Sequence, residues 1–123
     1  MPTPTRRILI ADDEKDICSR LQEELTTEGY SVVTVYDGKK AQDLLRQTAF
    51  DLAIIDIVMP GIDGIAVLKS LKKESPSTKV IMLTGYPNVN HAIESKKYGA
   101  EEFIPKPFNI DELKLTIKNL LAD

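Results

Sequence analysis

Five polar positions stand where apolar runs stop. Asp12 and Asp13 follow "ILIA", Asp56 closes "LAII", Thr84 closes "VIML" and precedes Gly85, and Lys106 sits between Pro105 and Pro107. A buried carboxylate without partners is costly, so Asp56 demands partners or an opening to solvent. Three carboxylates drawn together repel, by about 4 kcal/mol per pair at ~4 Å and an effective dielectric of ~20. Protonation or a cation must relieve that. An all-oxygen ligand set favours a hard cation, Mg²⁺ or Mn²⁺, and no His or Cys cluster stands ready for zinc. Such a site leaves room for water and a phosphoryl group, whose oxygens suit the Lys106 ammonium and the Thr84 hydroxyl, with Gly85 letting the backbone come close.

These residues share a site only if the elements before them line up. Residues 6–11, 31–36, 52–56, 79–84 and 102–105 read as strands, three of them nearly all apolar at the centre, as in a parallel sheet covered on both faces. Helical spacing alternates with them: Ile17, Leu21 and Leu25 before Gly29; Ala41, Leu44 and Leu45; Val67, Leu68 and Leu71 before Pro76; Ala92 and Ile93 before Gly99; Leu113, Ile117, Leu120 and Leu121. Repeated strand–helix alternation implies right-handed βαβ units and a doubly wound α/β sheet. Ligands of such sheets bind beyond the carboxyl ends of the strands, which is where the five positions fall.

Taken singly, each position has a plainer role. Asp12 and Asp13 could cap a helix, Thr84 is an ordinary strand end, and Lys106 an ordinary solvated lysine. Their joint placement at one edge is the stronger signal. Asp37, Asp51, Asp63 and Asp111 read as turn or cap residues, with Tyr36-Asp37-Gly38 as a turn. His91 reads as an exposed helix residue and Cys18 as core. The pairs Arg6-Arg7, Lys39-Lys40, Lys72-Lys73 and Lys96-Lys97 read as solvated faces.

The length of 123 residues suggests one domain, residues 1–123, with 1–5 as a loose tail. A net charge of −3 argues against a nucleic-acid surface. No apolar run approaches the ~20 residues that span a bilayer. The start, "MPTPTRR", lacks the apolar stretch of a signal peptide, so a cytoplasmic protein is expected. The single cysteine can form no internal bridge.

The chain resembles the receiver domain of two-component response regulators. The resemblance is carried by "ILIADDE", "DLAIIDIVMPGIDG", "VIMLTGY" and "GAEEFIPKPF", in this order across nearly the whole chain. It implies a flavodoxin-like (βα)5 fold with strand order 2-1-3-4-5. It implies Asp56 as phosphoryl acceptor, a carboxylate nucleophile that forms an aspartyl phosphate. Asp12, Asp13, Asp56 and the Val58 carbonyl would hold Mg²⁺, Thr84 and Lys106 would bind the phosphoryl group, and Phe103 would change rotamer as Thr84 withdraws. It implies a cis Lys106–Pro107 bond. The partners implied are a histidine kinase or phosphotransfer protein, then a downstream protein or the chain's own effector domain. Neither membrane nor nucleic acid is bound directly, and phosphorylation-dependent dimers are allowed. Val58 and Tyr86 would border the water path to phosphorus, and neither is suited to position a water, so a long-lived phosphoryl group is expected. The chain could be a free-standing receiver or part of a longer regulator.

Two other functions compete. A Mg²⁺-dependent phosphohydrolase of the haloacid-dehalogenase type also uses an Asp nucleophile after a strand, but typically places a second Asp two residues later, where this chain has Val58. A flavodoxin-like nucleotide-binding module should carry glycine or hydroxyl residues in its first loop, and "DDEKD" is acidic. A receiver that never accepts phosphate is disfavoured because all five key positions are intact.

Overall fold

The computed structural model describes residues 5–85 and 88–122. Strands and helices alternate: β1 (Arg7–Ala11), α1 (Lys15–Thr27), β2 (Ser31–Val35), α2 (Gly38–Gln47), β3 (Leu52–Asp56), α3 (Gly64–Glu74), β4 (Lys79–Thr84), α4 (Val89–Lys97), β5 (Glu102–Pro105) and α5 (Ile110–Leu121). All strand pairs are parallel, in the order β2-β1-β3-β4-β5. This is the doubly wound, flavodoxin-like arrangement expected. β1 starts one residue later and β2 ends one residue earlier than the apolar pattern suggests.

The side-chain alternation of a strand divides the apolar runs between two cores. Leu9, Ala11, Ala53, Ile55, Val80 and Met82 face one side, beneath Ala41 of α2 and Val67, Leu68 and Leu71 of α3. Ile8, Ile10, Leu52, Ile54, Ile81 and Leu83 face the other, beneath Cys18, Leu21 and Leu25 of α1 and Leu113 and Ile117 of α5. The central strand β3 is buried at every position, Asp56 included. That rigid strand fixes the carboxylate at the sheet edge.

Local chemistry starts and stops the helices. Asp37, Asp63, Asn88 and Asn109 accept hydrogen bonds from the backbone N–H groups of Lys40, Ala66, His91 and Glu112. Asp37 and Asp63 are thus caps, as expected, whereas Asp111 lies in the first turn of α5 behind its cap Asn109. Gly29, at φ 98°, ends the first helical pattern as anticipated.

Three expectations change. Lys72 is no solvated lysine: its ammonium stands 2.6 Å from Glu101 Oε1 and donates to the Thr78 carbonyl at 2.7 Å. His91 is half-buried rather than exposed, with Nδ1 3.1 Å from the Asn88 amide nitrogen. Asp51 does more than turn the chain, accepting from the Arg7 N–H at 2.8 Å and so tying the start of β1 to the start of β3.

Candidate functional site

β1 and β3 are neighbours, so the polar residues that end them emerge side by side. One oxygen from each of Asp12, Asp13 and Asp56 lies within 4.8 Å of the others. Asp12 and Asp56 are buried and Asp13 is exposed, giving the cluster one open side. Thr84 is fully buried at the end of β4, one register step past Leu83, the partner of Asp56.

Lys106 closes the arrangement. Its backbone N–H donates to the Thr84 carbonyl at 2.7 Å, and the Lys106–Pro107 bond is cis, as expected. Its ammonium lies 2.7 Å from Asp12 Oδ2, 3.0 Å from Glu14 Oε1 and 3.2 Å from Asp56 Oδ2. The Asp12 contact is a short ion pair between a buried carboxylate oxygen and the ammonium. The other Asp12 oxygen accepts from the Glu14 N–H at 2.9 Å, and Asp56 Oδ1 accepts from the Val58 N–H at 3.2 Å. Glu14, not Asp12 or Asp13, occupies the N-cap position of α1.

The electrostatics follow from two buried carboxylates, Asp12 and Asp56, that share a single cation, Lys106, among the described residues. Burial, then repulsion from Asp12, pushes the Asp56 carboxyl up to about 6, against the opposing pull of Lys106. Burial alone would lower the Lys106 ammonium, but its contacts with Asp12 and Glu14 and the charge of Asp56 outweigh this and hold it above the usual lysine range. The Cys18 thiol, buried and near Asp12, is pushed up to about 11 and donates to the Asp12 carbonyl at 3.3 Å. It is a structural thiol, as its apolar surroundings suggested.

A raised carboxyl pKa has a definite sign in stability. Folded Asp56 keeps its proton up to about pH 6 and the unfolded chain loses it near 3.8, so stability falls as pH rises between these values. Asp56→Asn is therefore expected to stabilise the metal-free protein at pH 7.5 by about 1–2 kcal/mol. Urea unfolding across pH 4 to 8 checks this. A variant less stable than wild type at pH 7.5 would show that Lys106 fully compensates the charge.

The family comparison decides between the readings. The response regulator receiver domain model matches residues 8–118. The chain belongs to the response regulator receiver domain family.

Similar receiver domains place the fold and the acidic cluster in context. The transcriptional regulatory protein TctD of Salmonella typhimurium is 35% identical over 115 residues, covering 94% of this chain and 51% of TctD. The chain thus spans about half the length of this curated relative. A receiver domain protein of Methanospirillum hungatei superposes with a TM-score of 0.94 at 33% identity, covering 96% of this chain and 94% of that one. TrrA of Thermotoga maritima, solved in complex with Mg(2+)-BeF, superposes with a TM-score of 0.86 at 40% identity, covering 95% and 100%. The chain is thereby placed in two-component signalling.

The remaining sequence-derived positions are also located. Phe103 on β5 is half-buried, packs on the core beneath α3, and borders a cavity of ≈ 420 Å³ with Ala92, Ser95 and Ala100. Val58 is 45% exposed just beyond β3, while Tyr86 lies outside the described residues. Gly85 is less constrained than its sequence position suggests: a Cβ there would meet only Lys106 Cδ, at 3.8 Å. Sequence reasoning missed Glu14 as a partner of Lys106. Its place directly after the acidic pair was a signal, masked by its equally ordinary position at a helix start. Among the described residues, no helix is long and apolar enough to cross a membrane.

Proposed function

We propose that this domain takes a phosphoryl group on Asp56 from a histidine kinase or small phosphodonor, in a Mg²⁺-dependent reaction, and passes the change to an output partner. The observation that carries it is the junction of Asp12, Asp13, Asp56 and Lys106 at one edge of the sheet. The residues fit a hard divalent cation: one oxygen from each of three carboxylates lies within 4.8 Å of the others, and Lys106 is the one cation touching the buried pair among the described residues. Asp12, Asp13, Asp56 and the Val58 carbonyl would hold Mg²⁺, or Mn²⁺. When bound it would screen the carboxylate from an incoming dianion and stabilise charge during transfer.

The chain's own groups do the rest. Asp56 is the nucleophile, and β3 and the Val58 N–H hold its carboxylate in place. Lys106 already stands beside the acceptor oxygen, and after transfer it pairs with the phosphoryl oxygens. Thr84 moves toward those oxygens and Phe103 turns into the space it leaves, altering the surface of α4 and β5. A hydrogen bond to a charged group is worth ~1.5–3 kcal/mol, so Thr84 and Lys106 together approach the ≈ 5.5 kcal/mol of a full population switch.

The wider reading is a single cytoplasmic receiver domain over residues 1–123, acting on its own or joined to an effector and dimerising on phosphorylation. It is a signalling domain that assists its own phosphorylation rather than a phosphohydrolase. Intact-mass analysis with acetyl phosphate and Mg²⁺ should show one phosphoryl adduct, mapped to Asp56. An adduct on another residue, or none, would sink the proposal. Val58 offers no group to position a hydrolytic water, which supports slow phosphoryl loss. Val58→Asn is expected to speed that loss several-fold, toward the range of general acid–base effects. Equal decay of variant and wild type would remove Val58 from the water path.

A further inference from the structure

Among the described residues, Glu14 is the one partner of the Lys106 ammonium that lies outside the acidic cluster and faces solvent. Its side chain is 58% exposed, against 2% for Asp12 and 5% for Asp56. It occupies the N-cap position of α1 yet caps nothing with its side chain. Instead it reaches a lysine 92 residues away, at 3.0 Å. An ammonium has three N–H donors. In the resting domain Asp12, Glu14 and Asp56 surround them.

We propose that Glu14 is a positioning residue that competes with the phosphoryl group for Lys106 and so restrains phosphorylation. The inference rests on Asp56 being the acceptor. In transfer from acetyl phosphate, an Asp56 oxygen forms a bond to phosphorus. The bond from phosphorus to the acetyl oxygen breaks, and acetate leaves with the electron pair; no proton moves. The Asp56 side chain then carries a phosphoryl dianion in place of one carboxylate charge. Lys106 must release a partner to meet the new oxygens. Asp12 is buried and would be left as an uncompensated charge. The exposed Glu14 carboxylate is readily rehydrated, since exposed ion pairs contribute little. Glu14 is therefore the partner released, and until it lets go it holds the lysine back from the donor.

The test is a double-mutant cycle on the apparent second-order rate constant for Asp56 phosphorylation by acetyl phosphate at saturating Mg²⁺. Glu14→Ala is expected to accelerate the reaction about threefold or more, the size typical of coupled neighbours, and to change nothing in a Lys106→Ala background. A second readout needs neither donor nor metal. The ¹⁵N resonance of the Lys106 ammonium, assigned by its loss in Lys106→Ala, should shift in Glu14→Ala. Equal acceleration in both backgrounds overturns the proposal, because the effect is then the repulsion of Glu14 on the donor alone. An unmoved rate or an unmoved resonance overturns it as well. If the wild type forms no adduct on Asp56, the acceptor reading fails and this inference with it. If it does and Glu14 is inert, only this inference fails.

Discussion

Lys106→Ala is expected to destabilise the metal-free protein by about 3 kcal/mol at pH 7.5, the low end of the cost of breaking a buried ion pair. The ammonium is the one cation in contact with the two buried carboxylates, Asp12 and Asp56, among the described residues. Its folded pKa is raised, so the lysine's own titration takes nothing from its contribution below the ordinary lysine value and removes it as pH rises through the folded value. Alanine leaves two buried carboxylates without compensation. For a chain of this size the loss corresponds to a melting shift of about 10 °C.

The loss should also have a pH signature. Asp56 already holds its proton up to about pH 6. Without the lysine that carboxyl rises further, so acid neutralises one of the stranded charges. The stability gap between Lys106→Ala and wild type is expected to be clearly smaller at pH 5 than at pH 7.5. Mg²⁺ should narrow it at pH 7.5 by binding the folded form. Urea unfolding at the two pH values, with and without Mg²⁺, measures all of this. A gap that is the same at both pH values would mean that Lys106 stabilises by packing alone. Asp56→Asn moves stability in the opposite direction, and the opposition of the two signs is the mark of a site with more carboxylates than cations.

Much of this site was legible before any fold was built, for a physical reason. Strands buried on both faces read as unbroken apolar runs, so the first polar residue after each run marks the carboxyl edge. Asp12, Asp56 and Thr84 were found in that way, and Lys106 by the prolines that bracket it. Family resemblance then suggested roles that spacing could not, such as the rotamer change proposed for Phe103. Contacts between distant segments were not legible. Lys72 and Glu101 are 29 residues apart and Glu14 and Lys106 are 92, so neither pair leaves a periodic trace. Lys72 read as half of a solvated pair because Lys73 follows it. His91 read as exposed because no local pattern announces the Asn88 cap that engages it. The site's charge balance, which depends on Glu14, was hidden with them.

The glycine at the start of α3 carries the other large effect, and its role is likewise invisible in the sequence. Following Asp63, Gly64 reads as the ordinary sequel to a helix cap. In the structure its N–H donates to the Ile57 carbonyl at 2.8 Å, pressing the helix end against the segment that leaves Asp56. A Cβ on Gly64 would lie 2.2 Å from the Asp56 carbonyl oxygen and 2.7 Å from Ile57 Cα. Both are backbone atoms, one in the last residue of a strand buried at every position and the other in the buried residue directly after it, so no side chain can rotate away to make room. Gly64→Ala is therefore expected to destabilise the domain by about 2–3 kcal/mol, in the range of overpacked cores. It should also displace the Asp56 backbone, which carries the carboxylate away from Lys106 and the Val58 N–H. Phosphorylation by acetyl phosphate should then fall about 100-fold, since catalytic geometry tolerates little displacement. Gly85→Ala is the control: its Cβ meets only a flexible lysine methylene at 3.8 Å, so stability should stay within about 0.5 kcal/mol. Urea unfolding and adduct formation measured side by side for both variants separate strain from a general intolerance of alanine. Wild-type stability in Gly64→Ala would mean that α3 shifts outward without cost, and the rigid seat assigned to Asp56 would be wrong.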